Sequence, residues 1–397
     1  MFDGIALETR CCWCPKRDHV IGLCHKHSHN VDTKLEDFNS LEKIRVALFE
    51  PTSDTTKVCF GTDATVVAIG PYAQNHHYSP VPIVASPSDK TEKGICLAEW
   101  VQTVLSTWEN HDLGAKTNGS IWALASDGDS AFQAAKHKIC MVKYLDSNSM
   151  LGKLLVPLLG LNCYTSIGGV ISTCDPKHIF KHFATLLRNN CGFMLDDILI
   201  RAEDIVELLT QPPDMTLEKA VQLLDPSDKQ NVPKAVNLLQ SLLKLKGLPA
   251  SLDPTAERCR KAINFFAEIL GYFVQPFIMV HMGLSEQVES LATFAFGAAY
   301  LYIVHGNACF TGPLYADTQS VVKNLIFTIA RMQQIDPDMC LYIIHEGTDR
   351  LEGLFADTHT LDHARNFDID QLSGKLSVAT LINAGFEHNP DLDRGHR

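Results

Sequence analysis

The sequence predicts an α/β fold, a mixed sheet with helices, interrupted by a large all-helical insertion. Three observations carry this. Residues 1 to about 150 hold strand-like runs ("FDGIALE", "HVIGLC", "ATVVAIG", "VPIVAS"), then a helical segment "LAEWVQTVLSTW" and a further strand "IWALA". From about 180 to 310 the spacing is helical: "DDILIRAEDIVELLTQ", "TLEKAVQLL", "PKAVNLLQSLLKL" and "ERCRKAINFFAEILGYF" repeat apolar residues at i, i+3, i+4. Residues 311 to 397 return to mixed character. The expected division is therefore a first core segment over 1–180, a helical insertion over 181–310 and a last core segment over 311–397.

Each element has a local reason. The segment "LAEWVQTVLSTW" puts Leu97, Val101, Val104 and Leu105 on one helical face. "IWALA" ends in the acidic turn "SDGDS", and proline-rich joints such as "QPPD" separate the later helices. The polar stretch 28–57 reads as a loop or short helix between strands. There is no internal repeat and no low-complexity tract.

Composition bounds the function. The chain has 397 residues, 46% apolar and 20% charged, an ordinary balance for a folded chain with a sizeable core. The richest apolar stretch, "FAEILGYFVQPFIMVHMGL", is interrupted by Glu268, Gln275, Pro276 and His281, so no membrane partner is expected. "MFDGIALETR" lacks the apolar region of a secretory signal. The 13 cysteines are scattered and odd in number, which suits reduced thiols in a nuclear or cytoplasmic setting. The net charge of −12 means that any nucleic-acid role rests on a local patch, a metal ion or a further domain.

Three strands, a helix and a strand ending in an acid is the element order of an RNase H-like fold. Phosphodiester cleavage in such a fold uses two Mg²⁺ or Mn²⁺ ions about 3.5–4 Å apart. Hard cations take oxygen ligands, so three carboxylates from distant parts of the chain must converge. Asp3 lies on the first strand, and Asp127 and Asp129 close "IWALASDGD". Glu352 lies in "GTDRLEGLFA", with Leu351, Leu354 and Phe355 at helical spacing and Asp349 one turn earlier. Taken singly, each acid also reads as a solvated surface group or a helix cap. Asp63, in "FGTDATVV", is a rival for the first acid, and Glu346 reads as a surface acid.

These segments resemble, in order, blocks of the transposases related to the P element and the THAP-domain transposases. "FDGIALE…HVIGLC" is similar to the opening block and "ATVVAIGPYAQNHHYSPVPIVAS" to the next strand pair. "LASDGDSAFQAA" resembles the block around the second acid, and "CDPKHIFKHFATLLRNN" the block Asp-Pro-x-His-Leu-x-Lys-x-x-Arg-Asn. "GTDRLEGLFADTHT" resembles the late block holding the third acid, while "LYADTQSVVKN" and "NPDLDRGHR" look like flanking blocks of fungal relatives. The resemblance implies a DDE-type nuclease and strand transferase with Asp3, Asp127 and Glu352 as catalytic acids and ligands of a Mg²⁺ or Mn²⁺ pair. It implies a nucleic-acid-binding or structural role for Asp175, Lys177, His178 and Arg188. It further implies transposon-end DNA as partner, homo-oligomerisation and a nuclear location. In the P element the helical insertion binds GTP, but no G-x-x-x-x-G-K-[ST] loop is present here, which argues against GTP. The family's N-terminal zinc-dependent DNA-binding domain has no counterpart, and the 28–57 loop reads as inserted. A catalytically inactive or domesticated relative that binds DNA or protein, cytoplasmic if decayed, is the alternative reading.

A third reading is a zinc-stapled binding module. "CCWCPKRDHVIGLCHKH" spaces Cys11 and Cys14 as C-x2-C and Cys24 and His27 as C-x2-H. The competing expectation is a β-hairpin across the same residues, which points Cys11 and Cys14 to opposite faces. The His76–His77 pair has no ligand spacing and reads as a turn.

Overall fold

The computed structural model describes residues 1–72, 78–361 and 366–392. His76 and His77 lie outside the described residues, as does the end of the "NPDLDRGHR" block. The chain divides into two compact units, Met1–Lys143 with Thr165–Val170 and Gly347–Arg397, and Tyr144–Tyr164 with Ile171–Glu346.

The first unit's strands include β1 (Phe2–Ala6), β2 (Cys12–Cys14), β3 (His19–Ile21), β4 (Asp63–Ile69), β5 (Val81–Ser88) and β6 (Ala123–Ser126). Four of them form a mixed sheet in the order β5-β4-β1-β6. β4 runs antiparallel to β1 and β5, and β6 runs parallel to β1. β4 is central because "DATVVAI" has no polar side: Ala64, Val66, Val67 and Ala68 are all buried. The period of two divides the sheet's residues between two cores. Ile5, Ala64, Val66 and Ala68 pack with Leu351, Leu354 and Phe355 of helix Asp349–Thr360 and Leu372 and Leu376 of helix Ile369–His388. Phe2 and Val67 turn the other way, against Leu97 and Val101 of helix Gly94–Asn110 and Ile139 of helix Ser130–Cys140. The unit is thus a sheet covered by helices on both faces. The 28–57 stretch contains helix Phe38–Phe49, started by an Asp37–Ser40 capping box, whose Ile44 and Ala47 pack on Val20, Leu23 and Val58.

The second unit is mostly helical. Its long helices, Val232–Lys244, Pro254–Ile278, Leu284–His305 and Gly312–Ile335, surround a core that includes the fully buried rings of Phe183, Phe266, Phe273, Phe294 and Phe310. Proline at the first turn and an Asn231 or Asp253 cap start two of them. The unit runs beyond the 181–310 span read from the sequence, since helix Gly312–Ile335 buries Leu314, Val321 and Leu325 in this same core. One expectation is corrected here. "DDILIRAEDIVELLTQ" is not one helix: Phe193–Leu195 and Ile198–Ile200 form an antiparallel hairpin, and the helix begins at Ala202. Asp196 and Asp197 both have positive φ (46° and 61°), the backbone of a two-residue hairpin turn.

Helix Leu284–Ala308 is, among the described residues, long and apolar enough by length and composition to cross a membrane. One face of it, with Leu291, Phe294, Ala298 and Leu301, is buried in the second unit's core, while Phe296, Tyr300, Ile303 and Val304 are exposed.

Glu346 also departs from expectation. It is 3% exposed, and its carboxylate accepts from both the Asn324 amide (2.8 and 2.7 Å) and the Thr173 hydroxyl. Removing it takes an acceptor from two buried donors, so Glu346→Ala should destabilise the second unit by about 1–3 kcal/mol. Urea denaturation checks this, and an unchanged midpoint would return Glu346 to the surface class.

Candidate functional site

Strand register brings the first two acids to the same end of the sheet. Phe2 and Ser126 are paired across the parallel β1 and β6, and the residue that follows each is an acid, Asp3 within β1 and Asp127 just past the end of β6. Neighbouring strands lie about 4.8 Å apart and parallel strands run the same way, so the two acids occupy adjacent positions at one end of the sheet. Asp3 pairs with Val66 across β4, and shares by alternation the face of Ile5 and Val66. On that face sits helix Asp349–Thr360, anchored by Leu351, Leu354 and Phe355, with Glu352 in its first turn. Among the described residues, the three do not form a set whose ligand oxygens all lie within 4.8 Å of one another.

The turn after β6 explains the second acidic residue of "SDGDS". The Asp129 amide donates to Asp127 Oδ1 (3.1 Å), and Asp129 Oδ1 accepts from the amides of Ala131 (2.9 Å) and Phe132 (3.1 Å). Asp129 is thus the N-cap of helix Ser130–Cys140, and it fixes the turn that carries Asp127. The rival Asp63 pairs with Ala6, at the far end of β1 from Asp3, and its carboxylate bonds Lys90 Nζ at 2.8 Å. Three residues of strand, roughly 10 Å, separate the two ends.

Residues of the "CDPKHIFKHFATLLRNN" block lie in the second unit. Asp175 is buried and caps helix Pro176–Leu187, accepting from the Lys177 amide at 2.7 Å, with His178 Nδ1 3.8 Å from its carboxylate. Arg188 is buried at that helix's end. Its guanidinium donates to the carbonyls of Leu223 (2.9 Å) and Asp228 (3.1 Å), and burial lowers its pKa. Its contacts tie three segments of the helical unit together.

The four proposed zinc ligands are not brought together. β2 and β3 form the expected hairpin, with Cys14 opposite His19, and the turn closes on Cys14 O through the amides of Arg17 (3.2 Å) and Asp18 (2.9 Å). Cys11 packs beside the Val20–Ile44 cluster and Cys12 beside the Ile5–Leu351 cluster. Burial pushes the Cys11 thiol up to about 11. His27 instead stands with Cys59 and Asp89, their ligand atoms all within 4.8 Å of one another. Sequence reasoning missed these two partners because they arrive from the starts and ends of other strands.

Comparison with known proteins gives a fold. The chain is similar to a chain of the Drosophila P element transposase strand transfer complex, with a TM-score of 0.57 and 10% identity, over 96% of this chain and 76% of that one. The chain therefore has a transposase-like, RNase H-like α/β fold with a helical insertion. No family model matches it. No curated protein matches it.

Proposed function

We propose that this chain is a transposase-like DNA nuclease and strand-transferase core acting through Asp3, Asp127 and Glu352. The observation that supports the reading is the register of β1 and β6, which pairs Phe2 with Ser126, each followed in sequence by an acid, in a transposase-like fold. The donor set suits Mg²⁺ or Mn²⁺: all three residues offer carboxylate oxygens, the ligands hard cations take. A bound metal pair supplies activation of the attacking oxygen and stabilisation of the leaving one. In this reading the sheet fixes Asp3 and Asp127 as a rigid pair, and helix Asp349–Thr360 brings Glu352 as the third ligand. Asp129 holds the turn behind Asp127 by capping the next helix. The partner is DNA, and because the chain is acidic overall its contacts must be local or metal-mediated. Homo-oligomerisation and a nuclear location belong to the same reading.

The experiment is cleavage of plasmid and oligonucleotide DNA with Mn²⁺, together with Mn²⁺ titration calorimetry on the parent and on Asp3→Asn. Cleavage, with Mn²⁺ binding weakened in the variant, supports the proposal. Binding without cleavage points to a non-catalytic, domesticated relative. Absence of both overturns the metal assignment.

A further inference from the structure

The hairpin's exit carries a second constellation, separate from the acids. After β3 the chain turns at Gly22, whose φ is +103° and where a Cβ would meet Arg10 O at 2.4 Å. Only glycine suits that turn. The turn sends Leu23 into an antiparallel bridge with Phe60. Cys24 then lies directly opposite Cys59, with the Cys24 amide donating to Cys59 O at 2.8 Å. The next residues curl back, because the His27 and Ser28 amides both donate to Cys24 O (3.0 and 2.9 Å). This is a knuckle-like turn that returns His27 to the side of Cys24. The third segment is held by the His25 amide and Nδ1, each 2.9 Å from Pro87 O, which brings Asp89 up to the same place.

We infer that Cys24, His27, Cys59 and Asp89 form a structural zinc site at the β4 start, the end of the sheet away from Asp3. Three of the four already have ligand atoms within 4.8 Å of one another. The fourth, the buried Cys24, is tied to Cys59 through its amide, which donates to Cys59 O at 2.8 Å. The two Asp89 oxygens are divided: Oδ1 accepts from Thr91 N (3.0 Å) and Thr91 Oγ1 (2.8 Å), while Oδ2 faces His27 Nε2 at 3.7 Å. Thr91 thus orients the ligand as an outer-shell partner does. Two thiolates, an imidazole and one carboxylate oxygen make a closed four-ligand set, which suits tetrahedral zinc better than a hard cation. Binding releases the thiol protons to solvent, and the metal staples the hairpin exit to the segments flanking β4 and β5.

The test uses the full chain, expressed with added zinc and purified without chelator. Bound metal is measured by mass spectrometry, and Co²⁺ is exchanged in to read the thiolate charge-transfer and tetrahedral d–d bands. About one zinc per chain is expected, with a tetrahedral cobalt spectrum. Cys59→Ser and Asp89→Asn should lose the metal and the charge-transfer intensity should fall. Thr91→Val should weaken binding by roughly 10–100-fold. Cys11→Ser, remote in contact from the cluster, should keep both signals. A parent without zinc, or a Cys59→Ser protein with the parent's zinc and spectrum, overturns the site. Should Cys59→Ser fail to fold by circular dichroism, Asp89→Asn and zinc competition on the parent give the same decision. Nuclease activity enters none of these readouts.

Discussion

Asp127→Asn should abolish Mn²⁺-dependent DNA cleavage while leaving the melting transition in place. The substitution keeps the size and shape of the side chain and removes the charge that holds a divalent ion. Asn retains the carbonyl oxygen that accepts the Asp129 amide, so the turn after β6 and the helix cap behind it persist. The loss should therefore fall on rate, by at least roughly 10²–10³-fold, the range for deleting one preorganised electrostatic group. Asp3→Asn and Glu352→Gln should show losses of the same order, because ligands of one site act as a unit and their effects do not add. Asp63→Asn is the control. Its carboxylate lies at the other end of β1 in an ion pair with the largely exposed Lys90, a contact worth about 0–1 kcal/mol. Cleavage that survives Asp127→Asn, or falls equally with Asp63→Asn, would remove the acid pair from the chemistry. The assay is cleavage of labelled duplex at saturating Mn²⁺, with thermal melting on every variant.

The strands of the first unit were legible because each run has a local cause. β4 reads from its uninterrupted small and β-branched residues, and β1 from a short alternation in which Phe2 and Ile5 face opposite cores. The pairing of Phe2 with Ser126, the residues just before Asp3 and Asp127, has no local signature. It follows from strand order, and only the succession of elements hinted at it. The hairpin at 193–200 was hidden because Leu195, Ile198, Leu199 and Ala202 also satisfy a helical period, and the turn depends on two aspartates adopting positive φ. Glu346 looked solvated because its neighbours Gly347, Thr348 and Asp349 are small or polar. Its partners, Thr173 and Asn324, lie far away in sequence. The cysteine motif was half legible. The turn that unites Cys24 and His27 is local, whereas Cys59 and Asp89 join them through bridges between other segments. Cys11 and Cys14 carried the stronger spacing signal, but Cys11 precedes β2 and packs by Val20 and Ile44, while Cys14 stands opposite His19 in the hairpin.

Phe273→Ala should destabilise the second unit by about 3–5 kcal/mol, the range for deleting a buried aromatic ring. Phe273 is fully buried and sits among four other phenylalanines. Its centroid lies 4.8 Å from that of Phe294, 5.5 Å from Phe277, 5.6 Å from Phe183 and 6.1 Å from Phe180, with edge-to-face geometry to Phe183 and Phe180. Such pairs contribute about 0.5–1.5 kcal/mol beyond area burial, so truncation loses both packing and ring geometry. The surrounding rings come from three helices, Pro176–Leu187, Pro254–Ile278 and Leu284–His305, whose backbones constrain how far the cavity can collapse. Phe265, on the same long helix but 41% exposed, should cost much less when cut to Ala. Urea denaturation followed by far-ultraviolet circular dichroism measures the loss, because the second unit is mostly helical. All four tryptophans, Trp13, Trp100, Trp108 and Trp122, belong to the first unit, so fluorescence reads that unit on its own. A Phe273→Ala shift below about 1 kcal/mol, or one no larger than that of Phe265→Ala, would show that the phenylalanine cluster is not the centre of the helical core.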